Sequence, residues 1–367
     1  MTEVFISSPA RPAPVKSEGL VPWMRNNLFA SIPNAVATVM ILGGLVWALF
    51  HILRWGVFNA VVAPDADLCQ AAREVGACWG VVTEKYRVII FGRYPKAEHW
   101  RPELATVLLV GVVVISCTRH FWHWWLMLIW AVVLTAFFVL MGGGVMGLPE
   151  ITTDQWGGLP LTIMLTVISM SMAFPIAVAV ALGRRSNMPA IRSVCVVYVE
   201  LIRGVPLISV LFMASFMFPL FMPMGTSPDV LIRVIVGIML FAAAYLAEII
   251  RGGLQSLPTG QTEAAASLGM GYWQTQIKIV LPQALGNVVP SIMNSFIALF
   301  KDTSLVTIVS LYELTGALSL AVGADPDWRP FKIEGYIFIA AIYWVCCFAM
   351  SRYSLWIEKR LAVGRAR

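Results

Sequence analysis

The stretch Glu263-Ala264-Ala265-Ala266-Ser267-Leu268-Gly269, followed by Ile279-Val280-Leu281-Pro282, decides how this chain is read. It is a helix-friendly, water-compatible segment set between strongly apolar ones. An acid opens it, small residues follow, and a glycine and then a proline mark where helices end. Small side chains let a second surface come close. A membrane protein needs such a segment where a rigid soluble partner pushes on it from one side. The plainer alternative is a simple loop helix between two spans.

Outward from this segment the chain is that of an integral membrane protein. Of its 367 residues, 59% are hydrophobic and only 13% are charged. Apolar runs of about 20 residues are long enough to cross a bilayer as helices. The formal charge of +6 does not indicate nucleic-acid binding. The basic residues gather beside the apolar runs, as expected of cytoplasmic flanks, and no aromatic stacking platform is interleaved with Lys and Arg.

The runs predict an all-α, polytopic membrane protein of about eight transmembrane helices, near 28–53, 103–118, 122–142, 158–182, 194–222, 231–250, 285–311 and 335–356. Leu104 to Leu140 is too long for one span and is divided by Arg119, His120 and His123. Orientation follows from Lys and Arg. Arg11, Lys16 and Arg25 precede the first span, Arg184, Arg185 and Arg192 fill the 183–193 loop, and Lys359, Arg360, Arg365 and Arg367 close the chain. An even number of spans puts all three groups inside, with the 251–283 loop. Glu150, Asp154, Asp229, Asp325 and Asp327 then fall outside. The 54–102 loop, of mixed charge, is also placed outside. Residues 1–27, rich in Pro, Ser and Ala near the start, are expected to be a flexible cytoplasmic segment. The first apolar run is long, lacks a small-x-small cleavage pattern, and is expected to stay as an anchor.

Cys69 and Cys78 share the external loop and could form a disulfide in an oxidising compartment. Cys117, Cys195, Cys346 and Cys347 lie in or near spans as packing residues. His120 and His123 have a spacing that could suit a metal. Their setting among Trp122, Trp124 and Trp125 favours an interfacial turn, so no metal is expected. No nucleophile–base–acid set and no Walker A pattern occurs, so the chain is not expected to be an enzyme.

Polar groups near apolar spans are costly unless paired or facing a cavity. Glu200 and Arg203, in Glu200-Leu201-Ile202-Arg203-Gly204, and Glu248 and Arg251, in Glu248-Ile249-Ile250-Arg251-Gly252, each sit three apart on one helical face and can pair. They are either structural ion pairs or parts of a gate or of a contact to the coupling segment. Lys301-Asp302-Thr303-Ser304 interrupts an apolar span. Adjacent charges cannot share a helical face, so a broken helix near the translocation path is expected, with Thr303 and Ser304 satisfying freed backbone groups. Asn294 and Ser295, about two turns earlier, either line a polar path or bond helix to helix.

Taken together, several strings in one order resemble the HisM/HisQ-type permeases of polar amino acid ABC importers. They are Leu159-Pro160-Leu161-Thr162, then Tyr198-Val199-Glu200-Leu201-Ile202-Arg203-Gly204-Val205-Pro206, then the run from Ala244 to Pro258. Gly260-Gln261, the Glu263–Gly269 segment, Tyr272-Trp273-Gln274 and Leu281-Pro282-Gln283-Ala284 follow, and Asn294 to Leu305 closes the series. The resemblance runs from about Gly158 to Leu361. It implies a five-helix permease core over 151–361, with a cytoplasmic coupling segment over 255–283 that docks on an ATPase through Glu263, Ala264, Ala265 and Gly269. Glu200, Arg203, Glu248, Arg251, Asn294, Ser295 and Lys301 to Ser304 become candidates for the translocation path or its gate.

The resemblance also implies partners: a second permease subunit, an ATPase dimer that carries ATP and Mg, and a periplasmic amino-acid-binding protein. The setting would be a bacterial inner membrane, crossed several times, with both termini cytoplasmic and a tail at 362–367. Residues 28–150 depart from the family core with three further spans. Phe91-Gly92-Arg93-Tyr94-Pro95 and Trp100-Arg101-Pro102 there look like the longer permeases of general L-amino-acid importers in Gram-negative bacteria. An ion-coupled secondary transporter is the alternative, but it needs midplane carboxylates and often a repeated half. Only Asp302 qualifies, and no long repeat is present.

Overall fold

The computed structural model describes residues 19–223 and 225–365. The described part is helical, with no strand among the described residues and only two isolated β-bridges. The chain divides into two units, one ending at Trp79 and one starting at Gly80.

In the first unit, α1 spans Leu20–Asn27 and α2 spans Ile32–Leu53, which continues as a π-turn over Arg54–Phe58. Residues 20–27, within the segment expected to be flexible, form this first helix. The helix starts without a side-chain cap, and none of its residues is buried. The remainder of 1–27 lies outside the described residues. The α2 helix is capped by Ser31 Oγ, which accepts from Asn34 N–H. Its 22 residues extend about 33 Å, enough to cross a bilayer. None of them is buried. The α3 helix, Ala66–Ala71, starts on Asp65, whose carboxylate accepts from the Asp67 and Leu68 amides. Cys69 and Cys78 are joined as a disulfide, with Cα atoms 5.4 Å apart.

In the second unit, α4 is Gly80–Phe91, α5 is Trp100–Ser116 and α6 is Trp125–Gly142. The α5 and α6 helices form a hairpin whose turn is pinned where the Trp122 and Trp130 indoles donate to the Ser116 carbonyl and hydroxyl. His123 Nδ1 approaches the Trp122 carbonyl and His120 packs edge-on against Phe121. Among the described residues no set of three potential metal-ligating side chains comes together.

The core follows with α7 (Gly158–Arg184), α8 (Pro189–Arg203), α9 (Leu207–Phe212), α10 (Val230–Gln255), α11 (Gly260–Ser267), α12 (Tyr272–Thr275), α13 (Leu281–Asp302), α14 (Leu314–Gly323) and α15 (Lys332–Arg365). The α7 and α10 helices form the central pair, each packing on further helices. Ala173, Ala177 and Ala181 recur every four residues on α7, and Ala243 and Ala247 on α10. All five are fully buried, as expected where small residues let helices approach closely. The tail expected at 362–367 continues α15 as far as Arg365.

Among the described residues, six helices are long and apolar enough to cross a membrane. The expected span at 194–222 is not one straight helix. The α8 helix and the Leu207–Phe221 segment meet at 104°. Pro206 cannot continue a helix, and it disfavours helical geometry at Val205. The expected second span is α5, whose 17 residues cover only about 26 Å. The expected span at 285–311 is α-helical only to Asp302 and continues as a 3-10 helix over Thr303–Val309.

Residues 80–142 are wired into the core rather than appended to it. The Gly158 N–H bonds the Tyr312 carbonyl at 2.9 Å. A Cβ on Gly158 would meet the Ile90 carbonyl oxygen at 2.0 Å, and its φ of +62° is one that glycine adopts freely. Glycine is thus required where α4 crosses the start of α7. Lys85 Nζ reaches Asp325 Oδ2 at 2.7 Å, and this hydrogen bond holds the Asp325 carboxyl below its ordinary range. The fully buried Arg101 donates to the Leu140 and Pro149 carbonyls, and so closes the end of α6.

Candidate coupling and translocation site

The segment that opened the reading folds as two short helices joined by a tight turn. At the end of α11 the Met270 N–H bonds the Ala265 carbonyl and the Gly269 N–H bonds the Ala266 carbonyl. This is a Schellman closure, with Gly269 in the left-handed conformation at φ +72°. Gln274 Oε1 accepts from the Gly271 amide at the start of α12. A π-turn over Gln276–Val280 then leads into α13.

Ala265 is buried, whereas Glu263, Ala264, Ala266 and Gly269 are exposed. A side chain at Gly269 would meet no atom within 4 Å. Close approach inside the chain is therefore not what requires this glycine; its backbone conformation is. Leu268, Tyr272, Trp273 and Ile277 stand exposed around the same turn. Large apolar side chains clustered on a segment that reads as soluble mark a surface built to be covered.

The α10 helix leads straight into this segment and carries a charged cluster at that end. Arg184, in the last turn of α7, bridges two helices. Its Nη1 donates to Glu248 Oε2 at 2.6 Å, and its Nη2 to Glu200 Oε1 at 2.9 Å. Arg251 bonds Glu248 through Nε at 3.0 Å and also through Nη2. Of the two expected i,i+3 pairs, only Glu248–Arg251 forms. Arg203 turns away from Glu200, lies 3.8 Å from Glu248 Oε2, and sits over the Tyr245 ring at 5.6 Å. The physical reason is Glu248: it offers a less exposed carboxylate, 24% against 61% for Glu200, beside an aromatic face.

The second group of expected residues lies farther along α10 and α13. Ser295 and Asp302 line a cavity of about 210 Å³ with Met170, Phe241, Ala242 and Tyr245. Lys301 is exposed and Asn294 is exposed; neither lines this cavity. No ion pair joins Lys301 to Asp302 among the described residues. The helix changes character here: Thr303 is buried, and its hydroxyl donates to the Phe300 carbonyl at 2.7 Å, while Ser304 is half-buried.

Residues 173–363 match the family model of the binding-protein-dependent transport system inner membrane component. The full chain is 45% identical to the inner membrane amino-acid ABC transporter permease protein YhdY of Escherichia coli K12, covering 100% of this chain and 99% of that protein. It is 36% identical to the glutamate/glutamine/aspartate/asparagine transport system permease protein BztC of Rhodobacter capsulatus, over 96% of each. A crystal structure of an amino acid ABC transporter with histidines aligns to 55% of this chain and 92% of that one, at 31% identity and a TM-score of 0.49.

The chain belongs to the family of binding-protein-dependent transport system inner membrane components. It is a multi-pass inner-membrane permease subunit, a transport component rather than an enzyme, and the ion-coupled alternative is not favoured. The first of these aligns over the whole chain and the second over 96% of it, so the part before the family model is shared with longer permeases. The L-cystine permease protein TcyB of Bacillus subtilis aligns to only 56% of this chain.

Two polar residues of this permease were not singled out from sequence. Arg184 was counted only as an orienting charge. Its signal was an unbalanced basic group at a span end, near two glutamates that each had one arginine. Glu313 was not noted at all. It is fully buried at the start of α14. Its Oε1 accepts from the Thr315 and Gly316 amides and the Thr307 hydroxyl. Its Oε2 accepts from the Tyr343 hydroxyl at 2.9 Å and the Thr162 hydroxyl at 3.4 Å. An acid in a short polar stretch before Leu314-Thr315-Gly316 could be read as a helix cap, but nothing local announces its burial.

Proposed function

We propose that this chain is one of two permease subunits of an ATP-driven importer of amino acids, with a polar range like that named for its relative from Rhodobacter capsulatus. A periplasmic amino-acid-binding protein delivers substrate. An ATPase dimer holds ATP and Mg, closes on binding them, and pushes on the 255–283 segment. The single observation that carries this reading is the exposed Leu268, Tyr272, Trp273 and Ile277 surface around the Gly269 turn, directly continuous with α10 and α13. Glu263, Ala264 and Gly269 lie on or beside that surface, and Ala265 packs beneath it.

In this mechanism the Arg184–Glu200–Glu248–Arg251 cluster is the gate. It ties the ends of α7, α8 and α10 together by charge-assisted bonds that can exchange partners as those ends move. The cavity beside Ser295 and Asp302 lies on the path, with the 3-10 turn at Thr303 allowing α13 to bend there. Both termini and the coupling segment face the cytoplasm. The Cys69–Cys78 loop and α14 face the oxidising periplasm, where such a bond persists.

Reconstitution tests the reading. With its partner permease, ATPase and binding protein in proteoliposomes, the chain supports amino acid uptake that requires ATP; uptake driven by an ion gradient without ATP would refute it. Orientation is tested in cells with a membrane-impermeant thiol reagent. Ala324→Cys is labelled from outside, whereas Asn187→Cys and Gln274→Cys are not. External labelling of Gln274→Cys would remove both the topology and the coupling role.

A further inference from the structure

A cleft of about 750 Å³ opens between the Arg184 end of α7, the first half of α8 and Gln255 at the end of α10. Arg184, Arg185 and Arg192 line it with Ser186, Asn187 and Ser193, and no acidic residue lines it. Arg184 is committed to Glu200 and Glu248. Arg185 and Arg192 have no carboxylate within ion-pair distance among the described residues. Arg185 gives one N–H to the Leu254 carbonyl at 3.1 Å, and Arg192 is exposed. The cleft therefore has two uncompensated guanidinium groups and several neutral hydrogen-bonding side chains.

The wall of this cleft changes character along α8. Val197 lines the cleft and also belongs to an apolar stripe with Val194 and Leu201, at helical spacing, that stands more than half exposed. A helix with a basic, hydrogen-bonding end beside a continuous apolar face matches a molecule with an anionic head and hydrocarbon tails. A soluble anion has no use for the stripe. Basic pockets between membrane helices on the cytoplasmic side hold anionic head groups.

We propose that this cleft binds the phosphate of an anionic glycerophospholipid, with Arg185 and Arg192 as its counter-charges and the Val194–Val197–Leu201 stripe along its acyl chains. Asn187 and Gln255 line the same cleft and would supply hydrogen bonds to head-group hydroxyls. The bound lipid would sit beside Arg184 and so next to the charged cluster of the gate. The proposal rests on the membrane setting of the family and on the cytoplasmic placement of this end proposed above, but not on the transported substrate or on coupling to ATP.

The test is the affinity of the delipidated complete importer for phosphatidylglycerol and for phosphatidylcholine, read by native mass spectrometry. A basic residue near an anionic surface contributes about 1 kcal/mol, or roughly fivefold. Arg192→Gln is expected to lower phosphatidylglycerol affinity about fivefold and Arg185→Gln/Arg192→Gln about 25-fold, with phosphatidylcholine unchanged and Arg192→Lys near wild type. Arg192→Gln keeps the test valid if the loss of the Arg185–Leu254 bond disturbs folding. Unchanged phosphatidylglycerol binding in Arg192→Gln and in the double variant would overturn the proposal. Inorganic phosphate that displaced the lipid with similar affinity would assign the cleft to a soluble anion and overturn the lipid assignment. Equal affinity of the complete importer for phosphatidylglycerol and phosphatidylcholine would show that the cleft selects no anionic head group, with the same consequence.

Discussion

The two ends of α7 carry polar clusters of opposite construction. At the Gly158 end, Glu313 is fully buried and accepts five hydrogen bonds, from Thr162, Thr307, Thr315, Gly316 and Tyr343. Each donor points at a single carboxylate, from four different parts of the chain. At the Arg184 end, three arginines compete for two glutamates that are 24% and 61% exposed. A satisfied buried network has one good arrangement, and losing any member leaves groups unpaired. A partly hydrated cluster with more bases than acids can trade partners at little cost. The difference separates a joint that holds the α7, α14 and α15 helices from one that, in the proposed mechanism, opens and closes.

The sharpest way to break this comparison is Glu313→Ala. It removes the cap of α14 and orphans the Thr315 and Gly316 amides, while the Tyr343 hydroxyl keeps its 3.5 Å contact with the Thr315 hydroxyl. A buried donor left without a partner costs about 1–3 kcal/mol, so the two amides alone approach the lower end of the roughly 5–15 kcal/mol that hold a typical domain together. Little folded permease should reach the membrane, as measured by the monodisperse fraction after mild detergent extraction. A well-folded Glu313→Ala chain would show that this end is no tighter than the other.

A smaller effect is expected at the opposite end. Arg184→Gln removes both inter-helix bridges but leaves Arg203 and Arg251 beside Glu248. Partly exposed ion pairs contribute about 1 kcal/mol or less, so folding should be nearly unchanged. Uptake should nonetheless fall about tenfold, within the usual range of a coupling free energy. Normal uptake with a large loss of thermal stability would reverse the assignments of the two clusters.

The membrane spans were legible because runs of about 20 apolar residues have few other uses. The end of α11 was legible too, because Gly269 and the preceding small residues leave few local options. Other features depended on contacts distant in sequence. The bend at Gly204-Val205-Pro206 has an evident local cause, but the long apolar run around it suggested one continuous span. The Glu200–Arg203 pairing looked sufficient at i,i+3 spacing, and only the approach of α7 and α10 shows that Arg184 takes Glu200 while Glu248 draws Arg203. Glu313 owes its burial to Thr162 and Tyr343, which are 151 and 30 residues away. Asp302 was found because a carboxylate in an apolar run is costly anywhere; the cavity beside it was not foreseeable from spacing.

The most direct test of the account is Ala264→Trp, measured as ATP-driven amino acid uptake in proteoliposomes that contain the complete importer. Gly269 is the less informative position, because its left-handed backbone would be strained by any side chain. Ala264 is exposed on α11 and has no such constraint. The account predicts that the variant folds and inserts like wild type, while uptake and substrate-stimulated ATP hydrolysis both fall by about tenfold or more. Wild-type uptake by Ala264→Trp would contradict the claim that this face of the permease receives the motion of the ATPase.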